Sequence, residues 1–376
     1  MILGVPKETK NKECRVALTP DVVKDLVGKG YKVWIEKDAG KLSYLNDDLY
    51  VQAGGEIKSY DEIYTSCDVI LKVNPPLPDE VKKMKKGSIL ISFMWALINK
   101  DLVAACMEAG ISAFSMDAIP RISRAQKMDA LSSQANLAGY KAVILAADHL
   151  GKIMPMMTTA AGTIRPAKVV IFGAGVAGLQ AIATARRLGA VVEVSDIRPE
   201  TKEQVESLGG KFIEVKSDDS IKIEGGYVKN VSEEFLKQQQ ALVSKHVKEA
   251  DIVITTALIP GRKAPLLVTE EMVAGMRNGS VIVDMAVEQG GNVHGSKLNE
   301  TVVTSNGVKI IGESNLPALL PLNASQLYAK NIQAFLLHLS TPDSFKWELD
   351  EEITKGSLIV KDGLLIHEEV KQKHGF

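Results

Sequence analysis

Cysteine is scarce in this chain. Only three stand among 376 residues, and Cys14, Cys67 and Cys106 lie far apart. An odd, scattered set suggests neither a disulfide framework nor a thiolate metal site, so no metal is expected. A reduced, intracellular compartment suits such a chain. Charge of one sign is missing too: 45 basic and 46 acidic residues leave a net charge of -1. That balance gives no electrostatic reason to expect nucleic acid or an anionic membrane surface as partner. No segment reaches the ~18 uninterrupted apolar residues of a membrane-spanning helix. The opening, MILGVPKETKNKECR, lacks the basic-then-apolar order of a secretory signal and reads as a strand followed by a charged loop. Neither a repeat of fixed period nor a low-complexity tract is present, and a soluble polypeptide is expected. Histidine is absent before His149, so the first domain is expected to hold none. What remains is 45% hydrophobic and 24% charged, globular values in a chain long enough for two domains, each with its own core.

The most informative stretch is Lys168 to Asp196, KVVIFGAGVAGLQAIATARRLGAVVEVSD. Lys168–Phe172 is apolar and β-branched enough for a short buried strand. Gly173, Gly175 and Gly178 then give G-x-G-x-x-G. Leu179–Leu188 reads as a helix with Arg186 and Arg187 at its negative end, and Val191–Ser195 resumes a strand. In such a βαβ unit Gly173 permits the tight turn, Gly175 admits a pyrophosphate to the main chain, and Gly178 lets helix and strand pack closely. The phosphates would then sit on N–H groups at the positive helix end. Asp196 closes the second strand, where a carboxylate accepts hydrogen bonds from ribose hydroxyls and repels a 2′-phosphate, favouring NAD(H) over NADP(H). Arg198, two residues on, can reach a phosphate and pulls the other way, although Asp196 stands first. A glycine turn in an ordinary α/β protein is the plainer reading of the same pattern.

Before the fingerprint, Ile2–Val5, Lys32–Glu36, Asp68–Val73, Ser88–Phe93 and Ile111–Ser115 read as strands. Asp21–Gly28 and Lys100–Gly110 read as amphipathic helices that end on glycine. Alternating strand and helix imply a parallel sheet covered on both faces. The first domain has no glycine fingerprint, so a doubly wound fold is expected there without a second dinucleotide site. Arg121, Arg124, Gln126, Asp129 and Ser132 then crowd the start of a long helix, Leu131–His149. They lie beside the expected domain junction, where ligands often bind. A solvated loop with Ser132 or Asp129 as helix cap explains them equally well. After Lys211–Val215 a polar stretch, Lys216–Asn230, carries Gly225-Gly226-Tyr227 and suits either a lid or a bland surface loop. Ser232 is expected to cap a charged helix through His246. Asp251–Thr255, a turn at Ile259-Pro-Gly, a helix over Thr269–Met276, and strands Val281–Met285 and Lys309–Gly312 complete a second sheet. A long apolar helix, Leu322–Leu339, should return the chain to the first domain, and the charged tail from Glu351 is expected on the surface. The fold class is therefore α/β, with two doubly wound parallel-sheet (Rossmann-like) domains joined by long helices. Residues 1–130 with 318–376 form the first domain, and 131–317 the second.

Taken with MILGVPKE, ECRVALTP, RISRAQKMDALSSQ, PMMTTAAGT, GAGVAGLQAIATARRLGA, TKEQVESLGGKF, GGY, TTALIPGRKAP and VDMAVEQGGN, the chain resembles a known family over nearly its whole length. This is the soluble NAD(H)-binding alpha component, or domain I, of Re/Si-specific, proton-translocating NAD(P)+ transhydrogenase, with alanine dehydrogenase more distantly similar. The resemblance implies that RISRAQKMD lies beside the nicotinamide. Arg121, Ile122, Ser123, Arg124 and Gln126 would contact cofactor, and Arg121, Gln126, Asp129 and Ser132 would place the nicotinamide and its ribose. Gly173, Gly175, Val176 and Gly178 would hold the pyrophosphate, and Asp196, Ile197 and Arg198 the adenosine. Gly226 and Tyr227 would belong to a mobile loop that closes over nucleotide. It further implies a homodimer, NADP(H) on a separate component, a membrane-embedded proton channel, and a cytoplasmic position, peripheral on the inner membrane (matrix side if mitochondrial).

Chemistry separates the two relatives. Reductive amination needs a carboxylate clamp, which Arg15 and Lys72 can supply, and a proton donor for the carbonyl oxygen. In alanine dehydrogenases a histidine follows the strand matching Ser88–Phe93, whereas this chain reads SFMWAL, with Met94 and Trp95. Glu288 also stands where those enzymes carry an aspartate. Hydride transfer between two nicotinamides moves no proton onto oxygen, so it needs positioning and exclusion of water, not a general acid. Arg15 and Lys72 would then be remnants or structural ion-pair partners. An NAD-sensing module without turnover is a third class, which the polar dressing at Arg121–Ser132 argues against.

Overall fold

Strands rich in Val and Ile stack into two sheets, and helices with one apolar face cover both sides of each. The computed structural model describes residues 1–214, 222–224, 227–230, 233–258 and 262–375. Two units emerge: Met1–Gln134 with Pro317–Phe376, and Ala135–Leu316. The chain passes from one to the other within the helix Ala130–His149.

The sheet of the first unit runs Leu364–Leu365, Leu358–Lys361, Ser112–Ser115, Ile89–Ser92, Val69–Leu71, Ile2–Val5, Lys32–Glu36, Glu56–Lys58. Numbering its six parallel strands along the chain gives the order 6-5-4-1-2-3, the doubly wound arrangement, with the first and fourth strands adjacent at the point where the winding reverses. Two core layers flank the sheet. One joins Leu3, Val5 and Leu71 to Tyr328, Phe335 and Leu336 of the helix Pro321–Leu339; the other gathers Ile63, Ile70, Leu90 and Val103. Each fully buried Val, Leu or Ile is worth about 1.5–3 kcal/mol.

The second unit repeats the plan. Its order is Lys211–Phe212, Val191–Ser195, Lys168–Phe172, Ile252–Thr255, Val281–Asp284, Lys309–Ile311, with Thr301–Val303 antiparallel at the edge. Both units are thus doubly wound parallel sheets. The winding reverses between Lys168–Phe172 and Ile252–Thr255, paired in parallel from Val169 opposite Ile252 to Phe172 opposite Thr255.

Four expectations need correction. The helix after the fingerprint begins at Val176, so Gly178 lies in its first turn. The tail is not merely surface: Leu358–Lys361 adds antiparallel to Ser112–Ser115, and Leu358, Ile359, Val360 and Val370 are buried. An apolar triplet between Ser357 and Lys361 is long enough to cover a sheet edge, which would otherwise expose unpaired backbone groups. Within Lys216–Asn230, Lys222–Glu224 and Tyr227–Asn230 pair antiparallel, so part of the expected loop is a hairpin. Gly225, Gly226, Ser232 and the Ile259-Pro-Gly turn lie outside the described residues. Finally, the first unit does contain histidine, because the returning chain brings in His338, His367 and His374.

Candidate functional site

At the reversal point of the second unit each fingerprint glycine has a distinct physical reason. Gly173 has φ +97, and a Cβ there would meet Thr256 Oγ1 at 2.5 Å. A Cβ on Gly178 would fall 1.8 Å from the Gly173 carbonyl oxygen, so nothing larger lets the helix start this close to the strand. At Gly175 a Cβ would meet nothing within 4 Å, yet this residue precedes a twelve-residue helix, Val176–Arg187, that has no side-chain cap. The first N–H groups of a helix lack intrahelical acceptors and carry positive potential. The open space before Gly175 therefore fits a pyrophosphate, which a Cβ would obstruct.

Asp196 sits at the end of the neighbouring strand with its side chain 4% exposed. Its Oδ2 accepts the Ala174 N–H at 2.6 Å, which ties the carboxylate to the glycine turn. Arg198 donates three times to the same group: backbone N–H and Nε to Oδ1 at 2.8 and 3.0 Å, and a terminal nitrogen to Oδ2 at 2.9 Å. Ile197 lies between them, half-buried. Across the reversal point, buried Asp284 accepts from Thr255 Oγ1 and from the N–H groups of Ala286 and Asn292. Asn292 in turn binds the backbone of Ala257 at both N–H and C=O, and also the Pro265 carbonyl. These two residues fix the chain that follows Ile252–Thr255. They were not singled out from sequence, although VDMAVEQGGN contains both.

Arg121 to Ser132 belong to the first unit, whereas Gly173 to Arg198 belong to the second. A 3-10 turn, Ser123–Met128, buries Ala125 and Met128 and rests on the helix Pro321–Leu339, whose Asn331 donates to the Lys127 carbonyl. That packing leaves Arg121, Ser123, Arg124 and Gln126 exposed and Ile122 half-buried. Asp129 caps the long helix, accepting the Ser132 N–H at 2.8 Å and its hydroxyl at 2.6 Å. Arg124 is drawn elsewhere, to Glu351 at 2.9 Å and Glu352 at 3.3 Å. The backbone of Tyr227 lies in the hairpin of the second unit.

The reversal point of the first unit holds a buried ionic cluster. Arg15 pairs twice with Glu13, Nε to Oε1 and a terminal nitrogen to Oε2, each at 2.8 Å, and donates its other terminal nitrogen to Gln134 at 2.8 Å. Burial alone would raise the Glu13 carboxyl, but the hydrogen bonds and charge of Arg15 outweigh it and hold it at about 2. Lys72, 1% exposed, lies 3.5 Å from Glu80 and 3.9 Å from Glu8. Burial raises the pKa of Glu8 despite that lysine. Arg15 and Lys72 are thus bound by the chain's own carboxylates. Gln134 and Glu13 went unnoticed in the sequence because nothing local marks them as partners of Arg15.

Trp95, singled out in the sequence, follows the strand Ile89–Ser92. It adopts φ 48, its N–H and that of Met94 both go to Asp117, and its ring stacks on Phe93 at 5.6 Å. Among the described histidines of this unit, His338 contacts Glu351, His367 the Gly356 carbonyl, and His374 the carbonyl of Ala96, the residue after Trp95. Among the described residues no cluster of three or more His, Cys, Asp or Glu side chains could hold a metal ion, and no helix is long and apolar enough to cross a membrane.

Family models for the N-terminal and C-terminal domains of alanine dehydrogenase/PNT match residues 4–138 and 142–368. The chain belongs to the alanine dehydrogenase/PNT family. Within it, an NAD(P) transhydrogenase alpha subunit of Haemophilus influenzae is 44% identical over 365 residues, covering 96% of this chain and 71% of its own. The alanine dehydrogenase of Bacillus subtilis is 30% identical over 383 residues, covering 100% of this chain and 95% of its own. Among solved structures, the transhydrogenase of Sinorhizobium meliloti superposes with TM-score 0.90 at 44% identity, covering 97% of this chain and all of that one. Two enzymes of one alanine dehydrogenase/PNT fold thus frame the question.

Proposed function

We propose that the chain is the NAD(H)-binding alpha component of a proton-translocating NAD(P)+ transhydrogenase, acting on NADP(H) held by a partner component. The observation that carries this reading is Trp95 and its surroundings: where alanine dehydrogenases are expected to carry a histidine, the first unit offers an indole stacked on Phe93, and the nearby His374 is held on the Ala96 carbonyl. The higher identity to a transhydrogenase alpha subunit than to an alanine dehydrogenase points the same way.

The bound NADH supplies a hydride from its nicotinamide C4 to the nicotinamide of NADP+. The chain's own residues hold and orient. The helix N-terminus at Val176, behind Gly173, Gly175 and Gly178, takes the pyrophosphate. Asp196 takes the ribose hydroxyls and disfavours a 2′-phosphate, with Ile197 and Arg198 lining the adenosine end. Arg121, Gln126 and the Ile122–Arg124 backbone place the nicotinamide and its ribose, and the Asp129–Ser132 cap keeps that segment in shape. Gly226 and Tyr227 close over the nucleotide and exclude water. No group in this scheme donates or accepts a proton at the reacting carbon.

Homodimerisation finds support in an exposed hairpin, Met157–Thr159 with Gly162–Ile164, which displays Met156, Met157 and Ile164 and is marginal as an isolated two-stranded ribbon. Docking on an NADP(H)-binding component and a membrane proton channel, at the cytoplasmic face of the inner membrane, follows from the same reading. In the decisive assay NADH should reduce an NADP analogue once the partner component is added. Turnover of pyruvate and ammonia by the chain alone would make it an alanine dehydrogenase; NADH binding with neither activity would make it a sensor.

A further inference from the structure

A carboxylate offers about four acceptor positions, two on each oxygen. On Asp196 all four are filled: Oδ1 by the Arg198 N–H and Nε, Oδ2 by the Ala174 N–H and an Arg198 terminal nitrogen. Two of these donors are backbone groups that fix the carboxylate's direction. The other two belong to one guanidinium, 24% exposed, reaching back from two residues along the chain. A ribose diol brings two hydroxyls and needs two acceptor positions. The carboxylate cannot serve it until the guanidinium leaves, and on leaving it vacates the number required.

We propose that Arg198 is an internal competitor for the adenosine ribose: a specificity-determining plug that occupies Asp196 in the absence of nucleotide and is displaced when a dinucleotide binds. The inference rests on the reading of this site as a dinucleotide site and adds how its affinity is set. Displacement trades two charge-assisted hydrogen bonds for two to hydroxyls, so the hold on NADH is weakened and release is eased. The displaced guanidinium stays tethered beside the 2′ position. There it offsets part of the repulsion between Asp196 and a 2′-phosphate, so Arg198 narrows a discrimination that Asp196 creates.

Calorimetric titration of the full chain at pH 8 with NADH, ADP-ribose and NADPH tests this for wild type, Arg198→Ala and Arg198→Lys. Arg198→Ala is expected to tighten NADH and ADP-ribose by roughly three- to fivefold, the scale of a partly exposed ion pair removed as competitor. NADPH should gain nothing, so the NADH/NADPH preference widens. Arg198→Lys should fall between, because an ammonium cannot bridge both oxygens. Weaker or unchanged NADH binding by Arg198→Ala, with an unchanged melting temperature, would overturn the plug and make Arg198 a direct ligand contact or a bystander. Failure of the wild-type chain to bind NADH would overturn the dinucleotide reading itself, and the plug with it.

Discussion

Replacing Glu13 by glutamine strips the counter-charge from Arg15, whose own side chain is 6% exposed. The Glu13 carboxyl is lowered from an ordinary 4.5 to about 2 in the fold. At about 1.4 kcal/mol per pH unit the ionised form contributes about 3 kcal/mol to stability. A buried pair that loses one partner costs about 3–5 kcal/mol, since the remaining charge is left uncompensated. The sign follows from the direction of the shift: a carboxyl lowered in the fold stabilises above the unfolded value near 4.5 and loses that contribution as pH falls towards 2. Urea denaturation followed by tryptophan fluorescence suits the test, because Trp34, Trp95 and Trp347 all lie in the first unit. At pH 7 Glu13→Gln should lose about 3–5 kcal/mol. Between about pH 5 and pH 3.5 its gap from wild type should narrow by about a third. Adding Arg15→Met to the variant should recover much of the loss, as removal of both charges leaves neither stranded. A loss below about 1 kcal/mol that does not change with pH would refute the ion pair as a structural element.

The other predictions concern nucleotide. Asp196→Asn should weaken NADH binding and narrow the NADH/NADPH preference, read by titration; an unchanged preference would remove the carboxylate from the discrimination. Gln126→Ala should slow hydride transfer far more than it weakens binding, which single-turnover kinetics beside a titration can separate, and equal losses would show that Gln126 merely binds. Gly175→Ala should keep the melting temperature and lose nucleotide, whereas Gly178→Ala, whose Cβ would sit 1.8 Å from the Gly173 carbonyl, should lose both. A stable, binding-competent Gly178→Ala would contradict the packing reason given for that glycine.

What the sequence disclosed were features whose physical demand is written in residue type over a short span. Gly173 and Gly178 are legible because no other residue satisfies a φ of +97 or so close an approach. The strands Ile2–Val5, Lys32–Glu36, Lys168–Phe172 and Val191–Ser195 are legible because each carries a short run rich in Val and Ile, although Glu193 interrupts the last. Long-range pairing was not legible. Leu358–Lys361 looks like tail until its partner, Ser112–Ser115, is known, and the histidines of the returning chain looked remote for the same reason. In the candidate site the residue types were apparent but their mutual engagement was not. Asp196 and Arg198 read as opposed signals for one nucleotide, whereas they form one pair. Asp129 read as either a cap or a group near nicotinamide; it does cap, and that leaves its proposed service to the neighbouring Arg121 and Gln126 intact.

The central claim of the proposal is that hydride passes directly between two nicotinamides, with no proton transferred by the chain at the reacting carbon. Its most direct test is deuterium at the transferring C4 position of NADH, with the chain, its NADP(H)-binding component and NADP+. The account expects the label in NADPH at C4, undiluted by solvent hydrogen, and no pyruvate-dependent NADH oxidation by the chain alone. Label lost to water, or alanine formed from pyruvate and ammonia without the partner component, would contradict it.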